Sequence, residues 1–141
     1  MIVAHDIGTT GNKASLHDDS GRLVAATTAH YETRYEANGV VEQNPDDWWN
    51  AFCRATRTLL ADELWGSAGV RPEDVEVVGV SGQMMGAVFL DSACAPVRPA
   101  IIWADTRSQE QCATLIERIG QEVERQTGEA VAPPAERPAT L

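Results

Sequence analysis

Short apolar runs broken by Gly, Asp and Ser open the chain. Ile2 to Ala4 lead into Asp6, Gly8, Thr9, Thr10 and Gly11, and apolar residues resume after Lys13. This pattern predicts a strand entering a tight turn, with a second strand, Lys13 to His17, leaving it. Asp18 to Gly21 reads as another turn and Leu23 to Tyr31 as a third strand, which together make an antiparallel meander. Tyr31 to Val41 is polar and irregular and is expected to form a loop crossing the sheet edge.

At Asn44 the period changes. Asn44 can cap a helix, Pro45 suits its first position, and Asp46 and Asp47 sit at the positive end of its dipole. Trp48, Phe52, Ala55 and Leu59 follow at helical spacing, with Trp49, Leu60 and Leu64 beside them, so one face is predicted to pack on the sheet. In that amphipathic setting Trp48 and Trp49 are expected in the core rather than as a ligand platform. Gly66 to Gly69 would end the helix and Arg71 to Asp74 would turn the chain. Val75 to Ser81 is β-branched and of strand length, and predicts a buried parallel strand reached through the helix. Gly82 to Gly86 interrupts it, Ala87 to Leu90 resumes, and Asp91 to Pro96 turns again.

Arg98 to Trp103 reads as a short strand that delivers Asp105 and Arg107 at its polar end. Thr106 or Asp105 would then cap a helix running to about Arg125, with Cys112, Leu115, Ile116 and Ile119 at core spacing. Beyond Thr127 the Ala- and Pro-rich sequence offers little to bury, so the expected organisation is a domain over 1–128 and a disordered tail over 129–141.

The chain has 141 residues, enough for a domain with a core, and a formal net charge of −10, which argues against nucleic acid or an anionic membrane as its partner. Neither a bilayer-spanning apolar run nor a signal-peptide pattern is present. Cys53, Cys94 and Cys112 are widely spaced and odd in number, which fits reduced thiols and a cytoplasmic location.

The loop after the first strand carries the candidate chemistry. Glycines let backbone N–H groups close on a bulky anion, the threonine hydroxyls add donors, and Lys13, the only lysine among 11 basic residues, adds positive charge. Asp6 would repel a phosphate, so its role there would be as a partner of hydrated Mg²⁺. Taken alone, the loop fits a phosphate cradle and a plain Gly- and Thr-rich hairpin equally.

The run from Asp6 to Lys13 resembles the first phosphate loop of the actin-like ATPase fold. Three later segments resemble the FGGY carbohydrate kinases, and within them the xylulokinase-like members: Glu42 to Trp49, Val77 to Asp91, and Arg98 to Arg107. The resemblance implies an α/β domain of the actin-like, ribonuclease H-like class, its mixed sheet opening with a three-strand antiparallel meander and flanked by helices. It implies ATP and Mg²⁺ as cofactors, with Gly8, Thr9, Thr10, Gly11 and Lys13 at the ATP phosphates and Asp6 at the metal through water. Gln83, Met84, Met85, Gly86, Trp103, Asp105 and Arg107 would line the pocket of a small sugar substrate. On pattern alone, Met84 and Met85 also fit core filling near a turn, and Asp105 and Arg107 an ordinary helix N-terminus.

Two departures from the family matter. Typical xylulokinases carry His where this chain has Met85, which opens the substrate to other ketoses, pentoses or polyols. Members of the family are also several times longer, and their general-base Asp and most of their adenosine pocket lie beyond the point where this chain stops. The expected reading is the incomplete, N-terminal part of a sugar kinase, inactive alone, with self-association or complementation by a second-domain chain as possible partners. The alternative is a non-catalytic remnant or binding module of the same fold.

Overall fold

The alternation that opens the sequence becomes a four-stranded mixed sheet. In the computed structural model, which describes residues 1–61 and 71–129, strands β1 (Ile2–Ile7), β2 (Gly11–His17) and β3 (Leu23–His30) form the expected antiparallel meander. They are followed by β4 (Arg34–Tyr35), β5 (Val41–Gln43), helix α1 (Pro45–Leu59), β6 (Val77–Gly82), β7 (Ala100–Ile101) and helix α2 (Gln109–Thr127). β6 pairs parallel with β1, giving the order β3-β2-β1-β6. Among the described residues the chain forms two compact units: 1–34 with 42–61 and 71–103, and 35–41 with 104–129.

In the first unit, period 2 sends Val3, Ala14 and Leu16 to one face, where Ala55 and Leu59 of α1 meet them in the core. Helix α1 starts as its sequence dictates: the Asn44 side chain accepts from the Asp46 N–H at 3.1 Å, and Pro45 occupies the first turn. Its buried seam is Ala51, Ala55 and Leu59, spaced by four. Truncating Leu59, which is fully buried, to Ala would cost about 2–5 kcal/mol. β5 pairs antiparallel with β7, Glu42 opposite Ile101 and Gln43 opposite Ala100.

Several expectations are corrected. Trp48 and Trp49 are not core: Trp49 is 65% exposed and Trp48 only half-buried, because the face of α1 that is buried runs through Ala51, Ala55 and Leu59. β6 is parallel as expected but exposed along its whole length, since α1 packs on β2 and β3 and leaves the outer strand uncovered by the described residues. Ala87 to Leu90 makes isolated bridges, Ala87 with Ile101 and Leu90 with Pro96, rather than a strand. The expected helix end at Gly66 to Gly69, and the tail beyond Glu129, lie outside the described residues.

In the second unit, residues 36–40 make a turn closed by Glu36 N–H to the Val40 carbonyl at 3.1 Å. Gly39 has φ +80°, and a side chain there would strike Thr106, so glycine is required twice over. Helix α2 is preceded by Ser108 rather than capped by Thr106 or Asp105, and it ends at Gly128 in the left-handed region. None of its residues is buried, and Leu115 and Ile119 are more than half exposed, so the apolar spacing read in the sequence meets no core there among the described residues.

Candidate functional site

The loop between β1 and β2 is the tip of a hairpin. Gly8 N–H donates to the Gly11 carbonyl at 3.0 Å, which leaves Thr9 and Thr10 at the turn. Gly11 is buried against β3, where an added Cβ would sit 2.8 Å from the Ala29 carbonyl, so close strand approach already demands glycine there.

The loop's carbonyls are held by side chains from outside the turn. The Tyr31 hydroxyl donates to the Gly8 carbonyl. Thr9 receives two donors at its carbonyl, the Thr33 hydroxyl at 3.0 Å and the Gln43 amide at 2.6 Å. His30 Nδ1 lies 3.3 Å from the Thr10 carbonyl. In a planar trans peptide the following N–H points opposite to the carbonyl, so the N–H groups of Thr9, Thr10 and Gly11 are turned away from these anchors. Three successive amides set this way are a means of meeting a phosphate. The Thr9 hydroxyl accepts from the Trp103 indole N–H at 3.1 Å, which links one expected sugar-pocket residue to the candidate phosphate loop.

On the sheet face opposite α1, register brings Thr28, Lys13, Asp6 and Ser81 into one row across four strands. The row lines a trough of about 510 Å³. The Asp6 carboxylate makes no hydrogen bond or ion pair among the described residues, and its charge together with burial pushes the Tyr31 phenol up to about 12, burial being the larger cause. No group of three His, Cys, Asp or Glu side chains that could cage a metal occurs among the described residues. A single exposed carboxylate in such a row fits Mg²⁺, which takes one or two carboxylates and completes its shell with water and phosphate.

A second cleft, of about 370 Å³, is lined by Ile7, Trp48, Val80, Gln83, Met85 and Ile102. Its wall is apolar with a few polar atoms, the composition of a small-ligand site. Gln83 Oε1 is buried there without a hydrogen-bond partner among the described residues. Met84 and Met85 are 75% and 84% exposed, which overturns core filling as their role. Met85 has φ +59°, a conformation a non-glycine residue adopts at a cost.

Asp105 and Arg107 belong to the second unit, where their charges meet each other: Arg107 places its guanidinium 2.7 Å from Asp105 Oδ2, and the same oxygen accepts the Val41 N–H at 2.9 Å. Burial would raise the Asp105 pKa, but the hydrogen bonds from Arg107 and Val41 outweigh it and hold the carboxyl down at about 2.

Sequence reasoning missed Tyr31, Thr33 and Gln43. Gln43 sits one residue before the helix cap, in a segment singled out only as a family signature, and no spacing rule marks it as a hydrogen-bonding centre.

Comparison with known proteins bears directly on these loops. The model of the FGGY family of carbohydrate kinases, N-terminal domain, matches residues 1–135. The chain is 36% identical over 119 residues to the xylulose kinase of Bacillus subtilis (strain 168), covering 84% of this chain and 23% of that protein. It is 35% identical over 121 residues to the xylulose kinase of Escherichia coli (strain K12), covering 86% of this chain and 24% of that one. In three dimensions it matches the crystal structure of a xyloylose kinase from Brucella ovis with a TM-score of 0.78 at 31% identity, over 94% of this chain and 26% of that one. The chain thus spans about a quarter of the length of the relatives it matches. With its meander, parallel fourth strand and flanking helices in the actin-like arrangement of these neighbours, this chain belongs to the FGGY family of carbohydrate kinases, whose N-terminal domain it matches.

Proposed function

We propose that this chain supplies the phosphate loop and the sugar loop of an enzyme that moves the γ-phosphate of ATP to a hydroxyl of a small ketose or pentose, with D-xylulose the first candidate. The observation that carries the reading is the pinning of the Gly8, Thr9 and Thr10 carbonyls, which turns three consecutive amides the other way. Gly8 to Gly11 would meet the phosphates, with Lys13 adding positive charge. Asp6 would hold Mg²⁺ through water; bound there, the ion would neutralise charge on the phosphate oxygens. Gln83, with its unpartnered Oε1, would accept a sugar hydroxyl, while Trp103, Met84, Met85 and Gly86 would shape the pocket wall. For Asp105 and Arg107, whose charges meet each other within the second unit, a sugar-contacting role rests on the family resemblance alone. Because Met85 replaces the His typical of xylulokinases, glycerol-like polyols and other ketoses belong in the substrate panel.

Phosphoryl transfer depends on positioning the acceptor and clamping the phosphates from both sides. The general base and the second clamp are expected from a further part of the enzyme, on the same or another chain, so these 141 residues alone should not turn over. Free thiols at Cys53, Cys94 and Cys112 suit the cytoplasm, which we take as the location. A coupled assay of ADP release with D-xylulose, D-ribulose and glycerol tests the inactivity; measurable turnover by the 141-residue chain refutes it. A second reading, a non-catalytic remnant, draws on the exposed apolar residues of β6, and predicts that neither ligand binds.

A further inference from the structure

We infer that Gln43 is a positioning residue that ties the phosphate loop to the sugar loop, so that a change at either is felt at the other. Its side chain is 2% exposed and meets four groups from four separate segments. Nε2 donates to the Thr9 carbonyl and to the Thr33 hydroxyl, both at 2.6 Å. Oε1 accepts from the Trp48 indole at 2.9 Å and from Gln83 Nε2 at 2.7 Å.

The chemistry of the partners fixes which way the amide points. An indole N–H only donates and a backbone carbonyl only accepts, so Oε1 must face Trp48 and Nε2 must face Thr9. With that orientation set, both N–H groups and both lone pairs of the amide are filled. Oε1 then has only donors to accept from, which orients Gln83 in turn: its Nε2 points at Gln43 and its Oε1 is left buried without a partner among the described residues. At the other end, Thr33 donates to the same Thr9 carbonyl that Gln43 holds, closing a three-membered ring of hydrogen bonds around it. The Thr9 carbonyl and the Gln83 side chain are therefore two bonds apart through one rigid amide. A buried network of this kind resists partial rearrangement, because breaking one member leaves others unpaired away from water.

The inference deepens the proposed kinase reading and rests on it for its functional meaning, while the physical link between the loops is testable without any ligand. The experiment is peptide-resolved hydrogen–deuterium exchange on the 141-residue chain and two variants. Gln83→Met removes the donor at the sugar loop and touches nothing at the phosphate loop. Thr33→Val removes the hydroxyl at the phosphate loop and touches nothing at the sugar loop. The link predicts that Gln83→Met raises exchange of the Gly8 amide, bonded to the Gly11 carbonyl, and Thr33→Val that of the Gln83 amide, bonded to the Ile7 carbonyl, each by about tenfold, the scale of one lost buried hydrogen bond. Exchange in β2 and β3 should stay unchanged.

A response confined to the mutated loop, or a rise spread evenly through β1, β2 and α1, overturns the inference. Titration with Mg·ATP separates it from the kinase reading: the reading predicts binding to the parent chain, and the inference predicts weaker binding in Gln83→Met. Linked loops with no nucleotide binding would sink the reading alone; binding that Gln83→Met leaves unchanged would sink the inference alone.

Discussion

Tyr31, at the end of the meander, donates its phenolic hydroxyl to the backbone carbonyl of Gly8, the first residue of the hairpin turn. This bond joins two segments 23 residues apart and leaves the phenol proton no reason to depart. Tyr31→Phe keeps the ring and deletes the bond. It should cost about 1 kcal/mol of stability and weaken Mg·ATP binding severalfold, read by urea unfolding and by titration.

The same phenol predicts an alkaline limb. Its pKa is raised above the unfolded value of 10.0 to about 12, so its contribution is fully present below pH 10 and is lost as pH rises toward 12. Unfolding curves between pH 9 and 12 should show this loss, and Tyr31→Phe should flatten it.

His5 and Asn12 form a buried polar pair beneath α1, with His5 Nδ1 2.9 Å from Asn12 Nδ2 and the imidazole stacked on Phe52 at 4.0 Å. Burial lowers the His5 pKa, only partly offset by the Asn12 bond. The folded pKa lies below the unfolded 6.5, so this contribution is present above pH 6.5 and is lost as pH falls below it. Asn12 Oδ1 is buried without a partner among the described residues. The double change His5→Leu with Asn12→Val should therefore remove the loss between pH 6.5 and 5 and leave stability at pH 8 equal or higher, measured by denaturant titration.

Met85 holds φ +59° with its side chain 84% exposed. A left-handed non-glycine residue costs stability that its exposed side chain does not recover by burial. Met85→Gly should stabilise the chain by about 1 kcal/mol and weaken sugar binding; thermal unfolding and calorimetry read the two effects separately.

The comparison between pattern and structure turns on what each residue's partner is. The Gly8–Gly11 turn and the Asn44 cap were legible because local chemistry decides them, and the parallel pairing of β6 because a helix lies between it and the meander. The exposure of Val77, Val78 and Val80 was not, because periodicity says which residues can be covered and is silent on what covers them. Helix α2 fails for the same reason: Leu115 and Ile119 have core spacing but no core beside them in the described residues. Gln43 was invisible for another reason, since its four partners come from four segments and leave no trace in sequence spacing.

Among the described residues β6, Val77 to Gly82, is an uncharged edge strand with valines exposed along it. An edge without charge or proline is a template for another strand. The 141-residue chain should gain mass with concentration in light scattering, and Val78→Lys should suppress the gain. A parent chain that stays monomeric throughout would contradict this.

Calorimetric titration of the 141-residue chain, first with Mg·ATP and then with D-xylulose, tests the central claim most directly. Preformed loops predict saturable binding of each ligand, weak and on the order of 1 mM, with no ADP released when both are present. Silence with both ligands would contradict the account and leave the loops as marks of ancestry alone.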